Sequence, residues 1–294
     1  MGAHFFRFNT MLSGVLLIDK PKGPSSFDII RKIRKLSGIK RIGHAGTLDP
    51  EASGVLVVCL GAYTKLAGYL TESSKIYEAV IELGIQTSTD DQEGEIISEK
   101  TCEHLGLQDI IRACEKFIGK INQIPPRYSA LKLNGQRAYN LARAQKDFVL
   151  SSREIEIFSL EILALEIPHI HIRVHCSKGT YIRALARDIG DHLEVGAHAR
   201  DIRRITSGSF TITSALALES LTPENLADFC LKDQEALGGL NNFNISASEY
   251  EHIKHGRSIN REDISSDIAI ALFDNKAVAI MQKRENYLKV LRLI

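Results

Sequence analysis

Gly43-His44-Ala45-Gly46-Thr47-Leu48-Asp49-Pro50 runs almost directly into Ser53-Gly54-Val55-Leu56-Val57-Val58, a glycine-bracketed turn followed by an apolar strand. The two glycines allow the backbone to approach a bulky ligand. Pro50 takes Asp49 out of helical geometry and so fixes the direction in which its carboxylate leaves the chain. An aspartate before proline is often a plain turn former. A carboxylate pinned beside a strand in this way can also serve as a nucleophile, which makes Asp49 the first candidate for chemistry.

Working outward, the 294 residues are 44% hydrophobic and 25% charged, an ordinary globular composition with room for one large domain and a small one. The early apolar run Val15-Leu16-Leu17-Ile18 ends at Asp19-Lys20 and is too short for a signal segment or a membrane span, so a cytoplasmic protein is expected. Cys59, Cys102, Cys114, Cys176 and Cys230 are widely spaced and form no C-x-x-C pair. They read as reduced, buried thiols rather than as disulfides or a zinc knuckle.

The net charge of +1 hides a local asymmetry. Arg31, Lys32, Arg34, Lys35, Lys40 and Arg41 stand together without an acidic residue, whereas Glu78 to Glu103 is acidic apart from Lys100. One face can attract phosphate and another repel it. Phe27, Ile30, Ile33 and Leu36 recur at helical spacing behind Ser26 as N-cap, so the first basic cluster also fits a solvated helix face. A second cluster combines Arg127, Lys132, Arg137, Arg143, Lys146 and Arg153 with Tyr128 and Tyr139, a composition suited to an RNA backbone and unstacked bases. It opens on the extended Pro125-Pro126 element and turns at Gly135 into a short helix ending at Arg143, as an excursion inserted into the main sheet.

Two further segments carry candidates. Lys75 to Gly84 alternates as a strand, with Tyr77, Ala79, Ile81 and Leu83 on one face and Glu78 and Glu82 on the other. Cys176 to Gly190 reads as a strand end, a glycine turn and a helix from about Thr180, which places Arg183 in the first helical turn. A cation there opposes the helix dipole by roughly 0.3–1 kcal/mol and calls for an anion within reach. That anion can be a surface carboxylate, a phosphate or Asp49. His169, His171 and His175 share one strand face with Arg173, a pattern that serves a metal or a half-exposed polar face; no metal site is expected.

The motifs resemble, in order and almost letter for letter around Asp49, the TruB family of pseudouridine synthases. The resemblance runs from about Ser13 to Phe210 and includes Ile18-Asp19-Lys20-Pro21, Gly84 to Gly94 and Ala197-His198-Ala199-Arg200-Asp201-Ile202. It leaves the first ten residues unmatched, with Met11 as a possible start, and has Ile202 where the family often has leucine. It implies an α+β pseudouridine synthase fold: a mixed, largely antiparallel sheet flanked by helices, a catalytic domain over 11–236 with a thumb loop at about 124–153, and a small β-rich domain over 237–294. The order of elements after Leu237, with Gly256 and the Asp274-Asn275 turn, looks like a PUA RNA-binding domain or a structural β subdomain.

The resemblance also implies roles. Asp49 is the catalytic residue, Tyr77 stacks on the target base, and Arg183 pairs with the catalytic carboxylate and keeps it ionised. His44 fills the space of the extruded base, with Gly46, Thr47, Tyr181 and Ile202 at the substrate and Lys20, Lys132 and Arg143 on the RNA backbone. The implied reaction turns the T-loop uridine at tRNA position 55 into pseudouridine, needing no metal, cofactor, membrane or protein partner and running on a monomer. Asp49 either attacks the ribose or abstracts a proton from it. The alternatives are a catalytic subunit of a guide-dependent complex and a non-catalytic tRNA chaperone.

Overall fold

Ser25 starts the first helix, α1 (Ser26–Ser37), through a capping box: its hydroxyl accepts from the Asp28 N–H at 3.2 Å and its own N–H donates to the Asp28 carboxylate at 3.0 Å. The sequence pointed to Ser26 as the cap. Ile30 and Ile33 lie inside as the spacing predicts, but Ser26 and Ile29 join them while Phe27 is 57% exposed. Ser26 is drawn inward because its hydroxyl bonds the backbone of Leu48 on the turn quoted above.

The computed structural model describes residues 12–129, 131–133, 135–144 and 146–294, with backbone alone for Lys132 and Arg137; the alternative start at Met11 lies outside this range. The strands are β1 (Gly14–Lys20), β2 (Ile42–His44), β3 (Ala52–Leu60), β4 (Lys75–Leu83), β5 (Ile85–Thr87), β6 (Ile96–Glu99), β7 (Gly119–Gln123), β8 (Lys132–Leu133) and β9 (Gln136–Arg137). They continue with β10 (Arg153–Glu166), β11 (His169–Cys176), β12 (Ala197–Ser207), β13 (Phe210–Thr211), β14 (Leu216–Ala217), β15 (Asn242–Asn244), β16 (Ile268–Phe273), β17 (Lys276–Arg284) and β18 (Tyr287–Leu293). The helices after α1 are α2 (Ala67–Thr71), α3 (Leu107–Glu115), α4 (Ala138–Arg143), α5 (Ile182–His192) and α6 (Ala247–Lys254). The architecture is the α+β class expected.

Contacts divide the chain into two units, one formed by the chain up to Ser73 with Ser207–Ile294, the other by Ser74–Thr206. In the first, β1 pairs parallel with β14 and antiparallel with β3, and β2 pairs antiparallel with β3. Every residue of β3 is buried, which explains its unbroken apolar run. In the C-terminal sheet β15 lies parallel to β16, while β16/β17 and β17/β18 are antiparallel. Asp274 and Asn275, with φ of 49° and 63°, make the tight turn between β16 and β17. Alternation splits this sheet between two cores. Ile270, Leu272 and Ile280 join Val15, Leu17, Val55 and Val57, whereas Ala269, Ala271 and Met281 pack with Phe243, Ile253 and Leu288. The boundary expected at 236/237 therefore falls inside one compact unit.

In the second unit the strand order is β12-β4-β11-β10-β7, and β4/β11, β11/β10 and β10/β7 are antiparallel. The alternation read from the sequence is realised in the register. Ile170, Ile172 and Val174 oppose Ile81, Ala79 and Tyr77 on the apolar face, and His169 and Arg173 oppose Glu82 and Glu78 on the polar one. The excursion after Pro125-Pro126 forms the β8/β9 hairpin and α4. All five cysteines are buried and free, and burial pushes the Cys59 thiol up to about 12.

Candidate active site

The turn that carries Asp49 is tied down from four directions within its unit. The Ser26 hydroxyl accepts from the Leu48 N–H at 2.8 Å and donates to the Leu48 carbonyl at 2.9 Å. The Ala45 N–H reaches the Val57 carbonyl of β3 at 2.9 Å. The Gly23 N–H and the Lys20 ammonium both donate to the Pro50 carbonyl at 2.9 Å. Gly46 adopts φ of 95°, which a side chain would strain. Asp49 is partly buried and Thr47 exposed, while Ala45 and Leu48 anchor the turn in the core. A carboxylate with both flanking peptides fixed is held for a task that requires placement. His44 ends β2 opposite Val58, partly buried.

Lys20 departs from the role the resemblance implied. It is 0% exposed. Its three N–H donors go to the carbonyls of Pro21, Pro24 and Pro50 at 2.8, 2.8 and 2.9 Å. A lysine with its donors committed to the backbone braces the Asp49 turn; it is not placed to grip an RNA phosphate.

In the second unit Tyr77 lies on the apolar face of β4 opposite Val174, partly buried between neighbours that are fully so. Arg183 sits in the first turn of α5, as expected, and is 5% exposed. Its guanidinium donates to the Asp91 carboxylate at 2.9 Å, the Thr89 carbonyl at 3.1 Å and the Tyr128 carbonyl at 2.8 Å. Arg187, one turn on, holds Asp90 and Asp188, each at 2.8 Å, and the Ile124 carbonyl. Burial pushes the Asp90 carboxyl up to about 6 against the pull of Arg187.

Asp90 and Asp91 are the residues the sequence did not single out. Read by composition they belong to an acidic, phosphate-repelling run. In the structure both carboxylates turn inward to arginines of α5 with 14% side-chain exposure. The signal was the lone inward arginine at a helix start, which called for an anion without naming it.

Tyr181 caps α5, and the buried Gln123 amide brackets its peptide, accepting from its N–H at 2.9 Å and donating to its carbonyl at 3.1 Å. Ile202 is buried on β12. In the excursion Arg143 is exposed, with its guanidinium 5.5 Å from the centre of the Tyr139 ring, and Tyr139 meets Tyr128 edge-on at 6.1 Å. A cation over an exposed tyrosine offers a charged and stackable surface. The Lys132 side chain lies outside the described residues. Among the described residues no three His, Cys, Asp or Glu side chains are grouped to hold a metal ion. No described helix is long and apolar enough to cross a membrane.

The profile of the family described as TruB family pseudouridylate synthase (N terminal domain) matches residues 34–182, which include Asp49 and Tyr77. A protein named tRNA pseudouridine synthase B from Clostridium kluyveri is 40% identical over 288 residues, covering 96% of this chain and 99% of that one. Its namesake in Thermobifida fusca is 37% identical, covering 93% and 96%. Among solved structures, one titled Crystal Structure of a Cbf5-Nop10-Gar1 Complex is similar with a TM-score of 0.75 at 25% identity, covering 95% of this chain and 84% of that one.

Proposed function

The chain belongs to the TruB family of pseudouridylate synthases, and on that premise we propose that it converts one uridine of tRNA, the T-loop uridine at position 55, into pseudouridine. It is an enzyme of the pseudouridine synthase class. The observation that carries the reading is the Asp49 turn, braced by Ser26, Gly23 and Lys20 on both sides of one carboxylate.

The reaction breaks the bond between ribose C1′ and N1 of uracil and forms one between C1′ and C5; C5 loses a proton and N1 gains one. Atoms and electrons balance without an oxidant, a reductant or a transferred group. A base stacked in the T-loop must first be extruded, at about a few kcal/mol. Tyr77 supplies the stacking surface for the extruded base and His44 takes its place in the loop. Asp49 acts on the ribose, as nucleophile or as base, and Arg183 is the partner of the catalytic carboxylate. Gly46, Thr47, Tyr181 and Ile202 shape the substrate site, and Lys132 and Arg143 meet the T-arm backbone.

By the same reading 11–236 forms the catalytic domain with a thumb at about 124–153, and 237–294 is a PUA-like RNA-binding domain. The enzyme works in the cytoplasm as a monomer. The likeness to a structure of a complex with Nop10 and Gar1 favours a second reading, catalysis as one subunit of an assembly. Identity of 40% over nearly the whole length of a protein named for tRNA weighs toward the first. Purified protein, given an unmodified tRNA transcript and nothing else, is expected to leave a single carbodiimide-dependent stop in the T-loop. Asp49→Asn is expected to bind the transcript normally and leave none. A stop at the wild-type level in that variant, or none with wild-type protein, sinks the proposal.

A further inference from the structure

Arg153 and Gln123 are directly opposed across the antiparallel β10/β7 pair, which places their side chains on one face of the sheet. Both reach the same residue. Gln123 brackets the peptide of Tyr181, and the Arg153 guanidinium lies over the Tyr181 ring, 4.5 Å from its centre. The Ser177–Tyr181 turn closes on this guanidinium: a Cβ placed on Gly179, whose φ is +80°, would stand 3.7 Å from Arg153 Nη1. Tyr181 in turn is the N-cap of α5, two residues before Arg183.

The arrangement is costly for the fold. Arg153 Nε and Nη2 are buried and have no hydrogen-bond partner among the described residues. Donors taken out of water and left unmade lower stability, and an apolar side chain of similar length would fill the space without that loss. A planar cation stacked on one aromatic face does what methionine cannot, because it fixes the tilt of the ring as well as its position.

We propose that Arg153, with Gln123, is a positioning residue for the reaction: it locks the Tyr181 ring and the first turn of α5, and thereby sets where Tyr181 and Arg183 meet the extruded nucleoside. This rests on the pseudouridine synthase reading. The pair touches the chemistry only through Tyr181 and the helix start.

The test uses the full chain as wild type, Arg153→Met, Arg153→Lys and, as a charge control, Lys120→Ala, which removes an exposed cation of the same strand pair. Three quantities are measured: the single-turnover rate of tritium release from tRNA labelled at uracil C5, the Kd for that tRNA, and hydrogen exchange of the amides from Ser177 to Arg183. Arg153→Met is expected to slow the saturated rate about tenfold, equivalent to about 1.4 kcal/mol, with Kd within about twofold and a melting temperature no lower than wild type. Its turn amides are expected to exchange faster. Arg153→Lys is expected to regain only part of the rate, and Lys120→Ala to match wild type. An unchanged rate in Arg153→Met, a weakened Kd with an unchanged saturated rate, or a slowing that only follows loss of folded protein each overturns the inference. If wild type releases no tritium the synthase reading has failed instead, and hydrogen exchange still decides whether Arg153 orders the turn; unchanged exchange overturns it.

Discussion

Replacing Ser26 by alanine removes one oxygen atom, and the structure says what that atom holds. Its hydroxyl accepts from the Leu48 N–H at 2.8 Å and donates to the Leu48 carbonyl at 2.9 Å, with Ser26 2% and Leu48 4% exposed. Alanine leaves a buried N–H and a buried carbonyl without these partners, each at about 1–3 kcal/mol, so a total near 2–4 kcal/mol is expected after partial relaxation. For a chain of 294 residues that corresponds to a fall in melting temperature of roughly 3–7 °C. Leu48 precedes Asp49, so the Asp49 carboxylate loses its anchor on one side, and for a group that reacts a displacement of about 1 Å can cost on the order of a hundredfold in rate. Thermal unfolding and single-turnover pseudouridine formation, with the rate corrected for folded fraction, measure the two effects separately. A melting temperature within about 1 °C of wild type and a full corrected rate would refute the reasoning that Ser26 braces the site.

Lys20→Met strips the donor from the Pro21 and Pro24 carbonyls while Pro50 keeps its bond from Gly23. A loss of about 2–4 kcal/mol in urea unfolding is expected, with tRNA affinity of the folded fraction within about twofold; weaker RNA binding at unchanged stability would return Lys20 to the RNA surface. Asp90 titrates near 6 in the folded protein against an ordinary 3.8. The folded state thus holds a proton that the unfolded chain gives up, and the destabilising contribution, absent below about pH 4, grows as pH rises and is complete above about 6. Melting curves from pH 4 to 7 are expected to show Asp90→Asn losing less stability than wild type over that window; parallel curves contradict the assignment. Burial pushes Cys114, Cys176 and Cys230 up to about 11 and Cys59 to about 12, so a disulfide reagent at pH 8 is expected to react with these thiols only after denaturant is added. Fast reaction of any of the four in native buffer would show local opening.

What could be read from the chain was what neighbours along it dictate. The period-two pattern of Lys75–Leu83 and His169–Cys176 fixed two strands and their faces, because side-chain direction alternates whatever the strand later pairs with. Asp274-Asn275 announced the β16/β17 turn through its backbone preferences. The glycine-bracketed Asp49 turn and the Arg183 helix start were legible for the same reason. What escaped were choices between partners far apart in sequence. Lys20 bonds Pro50, 30 residues away, Arg183 bonds Asp91, 92 away, and Gln123 bonds Tyr181, 58 away. Which way Ser26 and Phe27 face was settled by the need of the Leu48 peptide, 22 residues on. A buried donor must find an acceptor or lose stability. Local sequence says only that a donor exists; the tertiary structure alone decides which acceptor stands in front of it, and with that whether a charged side chain meets a ligand or braces the fold.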